Sequence, residues 1–154
     1  MIFANTQLLR YALVQQMYDL RGKITYTQDC RRDLVEEGYG DCSSVVRWVY
    51  RKILHMDIGE DTAVQILSDK GFDVDEGPYP KVCRLLPGDL LFFTGGDEMR
   101  PMGVGHVEMY AGCRTLIGQN GREEKGTFIK DIDEYMAYIK AQGLQYIKAR
   151  RFIR

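Results

Sequence analysis

The spacing of apolar residues predicts three helices in the first half of the chain. The first begins at a cap, Asn5 or Thr6, and runs to about Leu20, because apolar residues recur there every three or four positions. The second runs from Cys42 to about Leu54, and the third covers residues 61–70 before Gly71. Residues 22–40, which contain three glycines and a short extended piece at 24–26, are predicted to form a long loop.

Short apolar runs between turn residues predict strands in the second half. We expect strands at residues 88–93, 106–111, 114–118, 127–130 and 145–152, with a last helix at about 131–142. Helices therefore come mainly first and strands second. This order predicts an α+β fold, with N-terminal helices packed on a C-terminal antiparallel sheet, rather than alternating βαβ units. No repeat or linker interrupts the pattern, so we expect one domain over residues 1–154.

Composition narrows the classes of function. The 154 residues are 45% hydrophobic and 28% charged, which is typical of a compact domain with its own core. Lys and Arg number 21 against 22 Asp and Glu, so a nucleic-acid partner is not expected. The chain has no run near the ~18 apolar residues of a membrane span and no signal-peptide pattern. We expect a protein without a membrane span that is made in the cytoplasm; its oligomeric state is left open.

The chain has few residues that bind metals well. Its four cysteines, Cys30, Cys42, Cys83 and Cys113, show no metal-ligand spacing, and it contains two histidines. We therefore expect no metal and no other cofactor.

Cys42 has the sequence context of a nucleophile. It follows Asp41, a good N-cap, and so falls in the first turn of a helix, where outward-facing amides stabilise a thiolate. His106 is the better candidate for the base, because it sits at the start of a strand after a Gly-containing loop. His55 lies at the far end of the same helix, roughly 20 Å from Cys42 at 1.5 Å per residue. A polar residue on the adjacent strand should orient the imidazole, and we favour Gln119 over Asn120, which precedes Gly121 and is also a turn signal.

Three segments together resemble a known family. Asp41-Cys42-Ser43, Gly88-Asp89-Leu90-Leu91-Phe92-Phe93 and Gly105-His106-Val107-Glu108-Met109-Tyr110, in this order, resemble the motifs of NlpC/P60 cell-wall peptidases. More narrowly, residues 7–154 are similar to single-domain peptidoglycan hydrolases of bacteriophage lysins and prophages. The resemblance implies a papain-like fold in which Cys42 attacks an amide carbonyl and His106 is the base. Many relatives place histidine at the third catalytic position, whereas this chain has Gly118-Gln119-Asn120 there.

Further residues are expected around this site. The resemblance places Tyr26 beside the backbone amide of Cys42, in the oxyanion site, although an aromatic core residue is the alternative. We group Asp41 and Ser43 with it as supporting residues. Glu108 shares strand parity with His106 and either faces the cleft to contact substrate or lies on a solvated strand face. Residues 97–102 look like a loop at the edge of the cleft.

The leading hypothesis is a thiol hydrolase of bacterial peptidoglycan that acts on the cell wall. It would cleave an amide in or next to the stem peptide through an acyl-enzyme on Cys42. One alternative keeps the same dyad in a toxin-like amidase or deamidase. Another is a non-catalytic module for wall binding or phage-tail assembly, in which Cys42 only packs at a helix start.

Overall fold

Four helices form in the computed structural model of the chain, which describes residues 2–121 and 127–154. They are α1 (Ile2–Asp19), α2 (Cys42–Leu54), α3 (Thr62–Leu67) and α4 (Ile132–Ala141). Helix α1 begins earlier than predicted, because the Ile-Phe-Ala segment before Asn5 contains no helix breaker. Helix α3 ends earlier, because Ser68 leaves the helical region at ψ 130°. No helix in the described ranges is long and apolar enough to cross a bilayer.

Six strands form one antiparallel sheet. Its spatial order is β3-β8-β4-β5-β6-β7, and the strands are β3 (Phe72–Glu76), β4 (Leu90–Thr94), β5 (Val104–Gly112), β6 (Thr115–Gln119), β7 (Thr127–Asp131) and β8 (Tyr146–Arg151). Two short strands, β1 (Thr25–Tyr26) and β2 (Tyr39–Gly40), pair in parallel beside α2. The α+β class predicted from the sequence is confirmed.

Strand β3 is the strand of the six-stranded sheet that the sequence did not predict, and the short strand β2 lies in the segment predicted as a loop. Its segment, Phe-Asp-Val-Asp-Glu, places only Asp75 in a buried position. The usual alternation of buried apolar and exposed polar residues is therefore missing, although the strand pairs with β8 through four registered positions.

The sheet is buried on both faces at its centre. Helices α1, α2 and α3 cover one face, where Leu13, Val45 and Val49 pack with Phe92 and Met109. Helix α4 covers the other face and packs on Leu91, Phe93 and Leu116. His106 is the cross-strand partner of Phe93, and its ring centroid lies 6.3 Å from that of Tyr135 on α4. His106 is therefore largely enclosed, and it lies near the start of β5, a strand that contacts α2.

Candidate active site

The start of α2 holds Cys42 in a rigid position. Asp41 is the N-cap, and its Oδ1 accepts a hydrogen bond from the Ser44 amide at 2.8 Å. In return the Asp41 amide donates to Ser44 Oγ at 2.9 Å, which completes a capping box. Cys42 is the first residue of the helix and is 6% exposed. Its sulfur thus lies among helix-start amides that have no acceptor within the helix, an environment that favours a negative charge.

A partly buried ion pair stabilises this helix start. Arg32 donates from Nε to Asp41 Oδ2 at 2.8 Å, and its Nη2 reaches Ser43 Oγ at 2.9 Å and the Glu60 carbonyl at 2.9 Å. Burial favours the neutral form of Asp41, but the hydrogen bonds from Arg32 and Ser44 hold its pKa below the usual value. Asp41 and Ser43 therefore shape the helix start through their contacts with each other and with Arg32.

The side chain of His106 on β5 lies near that of Cys42, and the two interact through charge and hydrogen bonding. The strand can reach that position because Gly105 precedes it: a Cβ there would lie 2.2 Å from the amide nitrogen of Gly96. Only glycine lets the β4–β5 loop fold back so closely on the strand. The His106 side chain is 21% exposed, so it borders solvent while its other edge is enclosed.

The second ring nitrogen of His106 contacts a carboxylate. His106 Nε2 lies 2.7 Å from Glu108 Oε1, which leaves Nδ1 as the ring nitrogen available to Cys42. Glu108 is fully buried, and its carboxylate lies directly over Gly118 on β6, where a Cβ would be 2.1 Å from Oε2. Lys130 Nζ on β7 lies 2.7 Å from the same Oε1. Cys42, His106, Glu108 and Lys130 thus form a continuous chain of contacts.

These contacts favour the charged forms of the buried groups. Burial alone would lower the pKa of His106, but Cys42 and Glu108 outweigh it and raise the pKa to about 10. Burial likewise favours the neutral form of Glu108, but Lys130 and His106 keep its pKa below the usual value. The imidazole therefore carries a proton at neutral pH, next to the carboxylate of Glu108.

Cys42 lies in a groove of about 440 Å³. Its lining includes Gln28, Arg32, Asp61, Thr62 and the loop that follows β4. Arg100 ties this loop to the body of the protein by donating from Nε to the Val104 carbonyl at 2.7 Å and from Nη2 to Thr62 Oγ1 at 2.8 Å. The groove presents both cationic and anionic side chains next to the sulfur.

Comparison with known proteins decides the family. The model of the NlpC/P60 family matches residues 15–145. The chain belongs to the NlpC/P60 family. The resemblance seen in the three sequence motifs is thereby confirmed. No curated protein sequence is similar enough to this chain to serve as a relative.

Solved NlpC/P60 structures share the fold at low identity. The NlpC/p60 domain of the peptidoglycan hydrolase SagA is 22% identical, with a TM-score of 0.61 over 92% of this chain and 97% of that one. The peptidoglycan hydrolase RipB from Mycobacterium tuberculosis is 16% identical, with a TM-score of 0.62 over 98% of this chain and 68% of its own. NlpC1 from Trichomonas vaginalis is 22% identical, with a TM-score of 0.64, and the chain spans 93% of itself but 44% of that protein.

The NlpC/P60 chain brings together most of the residues that the sequence singled out. Cys42 and His106 meet, and Tyr26 lies close by with its ring against Gly121, where a Cβ would be 2.9 Å from Cε1. Burial, followed by the negative charges of Cys42 and Asp41, raises the pKa of Tyr26 to about 12. Its phenol therefore stays protonated at neutral pH. The oxyanion role of Tyr26 stays a prediction.

Glu108 and Gln119 differ from what the sequence suggested. Glu108 was expected to face substrate or solvent, but it is fully buried and contacts His106 and Lys130. Gln119 was expected to orient His106, but strand alternation turns it to the face opposite Gly118. Its side chain is fully buried, and its amide atoms have no hydrogen-bond partner within residues 2–121 and 127–154. The contact that orients the imidazole is made by Glu108.

Other candidates lie apart from the site. His55 is the C-cap of α2, at the opposite end from Cys42, with φ at 53°. Cys30, Cys83 and Cys113 are exposed, whereas Cys42 is buried. Sequence reasoning did not single out Lys130. The signal for it was its strand parity with Phe128, since both are half-buried on β7, and this parity becomes meaningful once β7 is known to pair with β6.

Proposed function

We propose that this NlpC/P60 protein is a thiol hydrolase of bacterial peptidoglycan, which cleaves an amide in or next to the stem peptide through an acyl-enzyme on Cys42. The observation that carries the proposal is the series of contacts Cys42–His106–Glu108, in which Cys42 lines a groove and Glu108 is buried behind His106. Two structural neighbours, SagA and RipB, are described as peptidoglycan hydrolases, which supports the choice of substrate.

The proposed chemistry assigns one task to each group. The Cys42 thiolate attacks the amide carbonyl carbon, and the resulting oxyanion faces the helix-start amide of Cys42 and the Tyr26 phenol. His106 gives its Nδ1 proton to the leaving nitrogen, so the carbon–nitrogen bond breaks and an amine departs. His106 then takes a proton from water, whose oxygen attacks the thioester and releases the carboxylate product. Glu108 holds the ring through Nε2 in both steps.

The groove suits a substrate of mixed charge. Two cations, Arg32 and Arg100, line it together with two anions, Asp61 and Asp97. Peptides of the cell wall carry free carboxylates and free amino groups close to their amide bonds. A groove with both signs of charge can bind such a peptide in one orientation, since reversing the peptide would place like charges together.

Purified sacculi and the Cys42→Ala variant test the proposal. The wild-type protein should release soluble fragments, and mass spectrometry of their new amino and carboxyl ends identifies the amide that is cut. Cys42→Ala should release none while keeping its thermal unfolding transition. Cys83→Ser, which removes an exposed thiol, serves as the matched control and should stay active. Undiminished fragment release by Cys42→Ala would contradict the thiol mechanism.

The same assay separates the alternatives. A wild-type protein that binds sacculi but releases nothing would favour a wall-binding or tail module. A protein that hydrolyses small amides but leaves sacculi intact would favour a toxin-like amidase. A role as a phage lysin is a narrower prediction, which is tested by whether the protein added from outside lyses intact bacteria.

A further inference from the structure

Lys130 is a buried cation that the proposed chemistry does not use. Its side chain is 13% exposed, and its ammonium lies 2.7 Å from Glu108 Oε1 and 5.4 Å from the centre of the Tyr135 ring. Lysine is seldom buried, because its charge loses hydration, so a lysine in this position requires a compensating role.

The way in which Lys130 contacts Glu108 indicates that role. His106 Nε2 and Lys130 Nζ both lie 2.7 Å from the same oxygen, Oε1. The other oxygen, Oε2, has no hydrogen-bond partner in the described part of the chain and lies over Gly118. If Lys130 only neutralised the charge of Glu108, a contact with Oε2 would do so equally well. On Oε1 its positive charge is brought next to the imidazole.

We propose that Lys130 is a positioning residue that weakens the hold of His106 on its proton by sharing Oε1 of Glu108. The inference rests on the proposed function. Cys42, His106, Glu108 and Lys130 alternate in charge when the sulfur is ionised. A histidine between a thiolate and an unshared carboxylate would keep its proton too firmly to give it to a leaving amine. Lys130 takes part of the carboxylate's charge and repels the imidazolium.

Within residues 2–121 and 127–154, the ring of His106 has aromatic neighbours. Phe93 on β4 and Tyr135 on α4 pack against its ring. Beside Cys42 lie Tyr26 on β1 and, at the start of α2, Asp41, which is paired with Arg32. Among these groups in the described ranges, Lys130 is the cation that reaches the carboxylate bound to His106.

Side-chain NMR of histidine in the free protein tests the proposal directly. The chain has two histidines, so a His55→Gln variant assigns both signals. Titration is done in the Cys42→Ala background, where the thiolate no longer raises the pKa of His106. Lys130→Gln keeps a donor for Glu108 but removes the charge, and it should make His106 bind its proton about tenfold more tightly. Lys130→Arg should leave the titration unchanged, as should Lys140→Met on the exposed side of α4.

An activity measurement with Cys42 present provides the second arm. Lys130→Gln should lower kcat about tenfold at neutral pH with little change in KM and move the alkaline limb of kcat/KM to higher pH. An unchanged or lower His106 pKa in a folded Lys130→Gln protein would overturn the proposal. The NMR arm needs no substrate, so its result stands even if peptidoglycan proves to be the wrong target, and the failures of the two proposals can be told apart.

Discussion

Gly118→Ala should damage the candidate site although residue 118 carries no functional group. The added Cβ would lie 2.1 Å from Glu108 Oε2 and 2.6 Å from its Cδ. A carbon and an oxygen normally approach to about 3.3 Å, so the carboxylate must move by about 1 Å. That movement is enough to break the 2.7 Å contact between Glu108 Oε1 and His106 Nε2. The substitution thus removes the group that orients the imidazole without altering either residue.

Two magnitudes follow from this geometry. Forcing a carbon into a filled position costs about 1–3 kcal/mol, whereas replacing a strand glycine regains roughly 0.5–1 kcal/mol. The free energy of unfolding should therefore fall by about 1–2 kcal/mol, or roughly 2–8 °C in Tm for a chain of this size. A displacement of about 1 Å in a catalytic group costs on the order of 10²-fold in rate, so kcat/KM should fall by about that factor.

A double-mutant cycle shows whether the clash is with Glu108. Thermal unfolding and fragment release are measured for Gly118→Ala, Glu108→Ala and the double variant. If the new methyl meets the Glu108 side chain, then in the Glu108→Ala background the same glycine substitution should cost nothing in stability and nothing further in rate. Equal losses in the two backgrounds, or a Gly118→Ala protein as active as the wild type, would refute the argument.

Three further predictions concern the neighbouring groups. His106→Ala should abolish fragment release, whereas His55→Ala should leave it near normal. Equal losses of activity in the two variants would contradict the assignment of His106 as the base. Because Cys42 lies at a helix start beside His106, iodoacetamide should label it at pH 6 ahead of the exposed cysteines. Peptide mapping by mass spectrometry measures the labelling, and uniform labelling of the four cysteines would contradict the prediction. Arg32→Met should cost about 1–3 kcal/mol at pH 7. The pKa of Asp41 is lowered in the folded protein, so its contribution is present above about pH 4 and is lost in acid. The difference between Arg32→Met and the wild type in urea unfolding should therefore shrink toward pH 3, and a constant difference would argue against the ion pair.

Much of the fold was predictable because its signals are local. Asp41 marks the start of α2, and the apolar residues that follow it extend to the predicted end at Leu54. Strands β4 and β5 were predicted from their buried runs, within two residues at either end. Strand β3 could not be predicted, because three of its five residues are acidic and its apolar residues do not alternate with them as buried positions. Its strand conformation is seen only in its pairing with β8.

The candidate site was predictable in part for a different reason. Cys42 and His106 are recognisable from their neighbours in sequence: Cys42 follows a helix N-cap residue, and His106 follows a glycine at the start of a strand. The buried position of Glu108 depends on the space left by the missing side chain of Gly118 on the neighbouring strand. The sequence alone does not show which glycine lies opposite Glu108. Strand parity placed Glu108 on the same face as His106, but parity alone does not distinguish a solvent-facing position from a buried one.

The pairing of Glu108 with Gly118 makes these two positions interdependent in evolution. A long acidic side chain at one requires an absent side chain at the other, so neither can change alone without a functional cost. A homologue in which the carboxylate is supplied by β6 rather than β5 would have to arise through an intermediate. That intermediate has large side chains at both positions, which clash, or at neither, which leaves the imidazole without a partner. We therefore expect the two positions to covary among close homologues, and an alignment column taken singly to understate how strongly each is constrained.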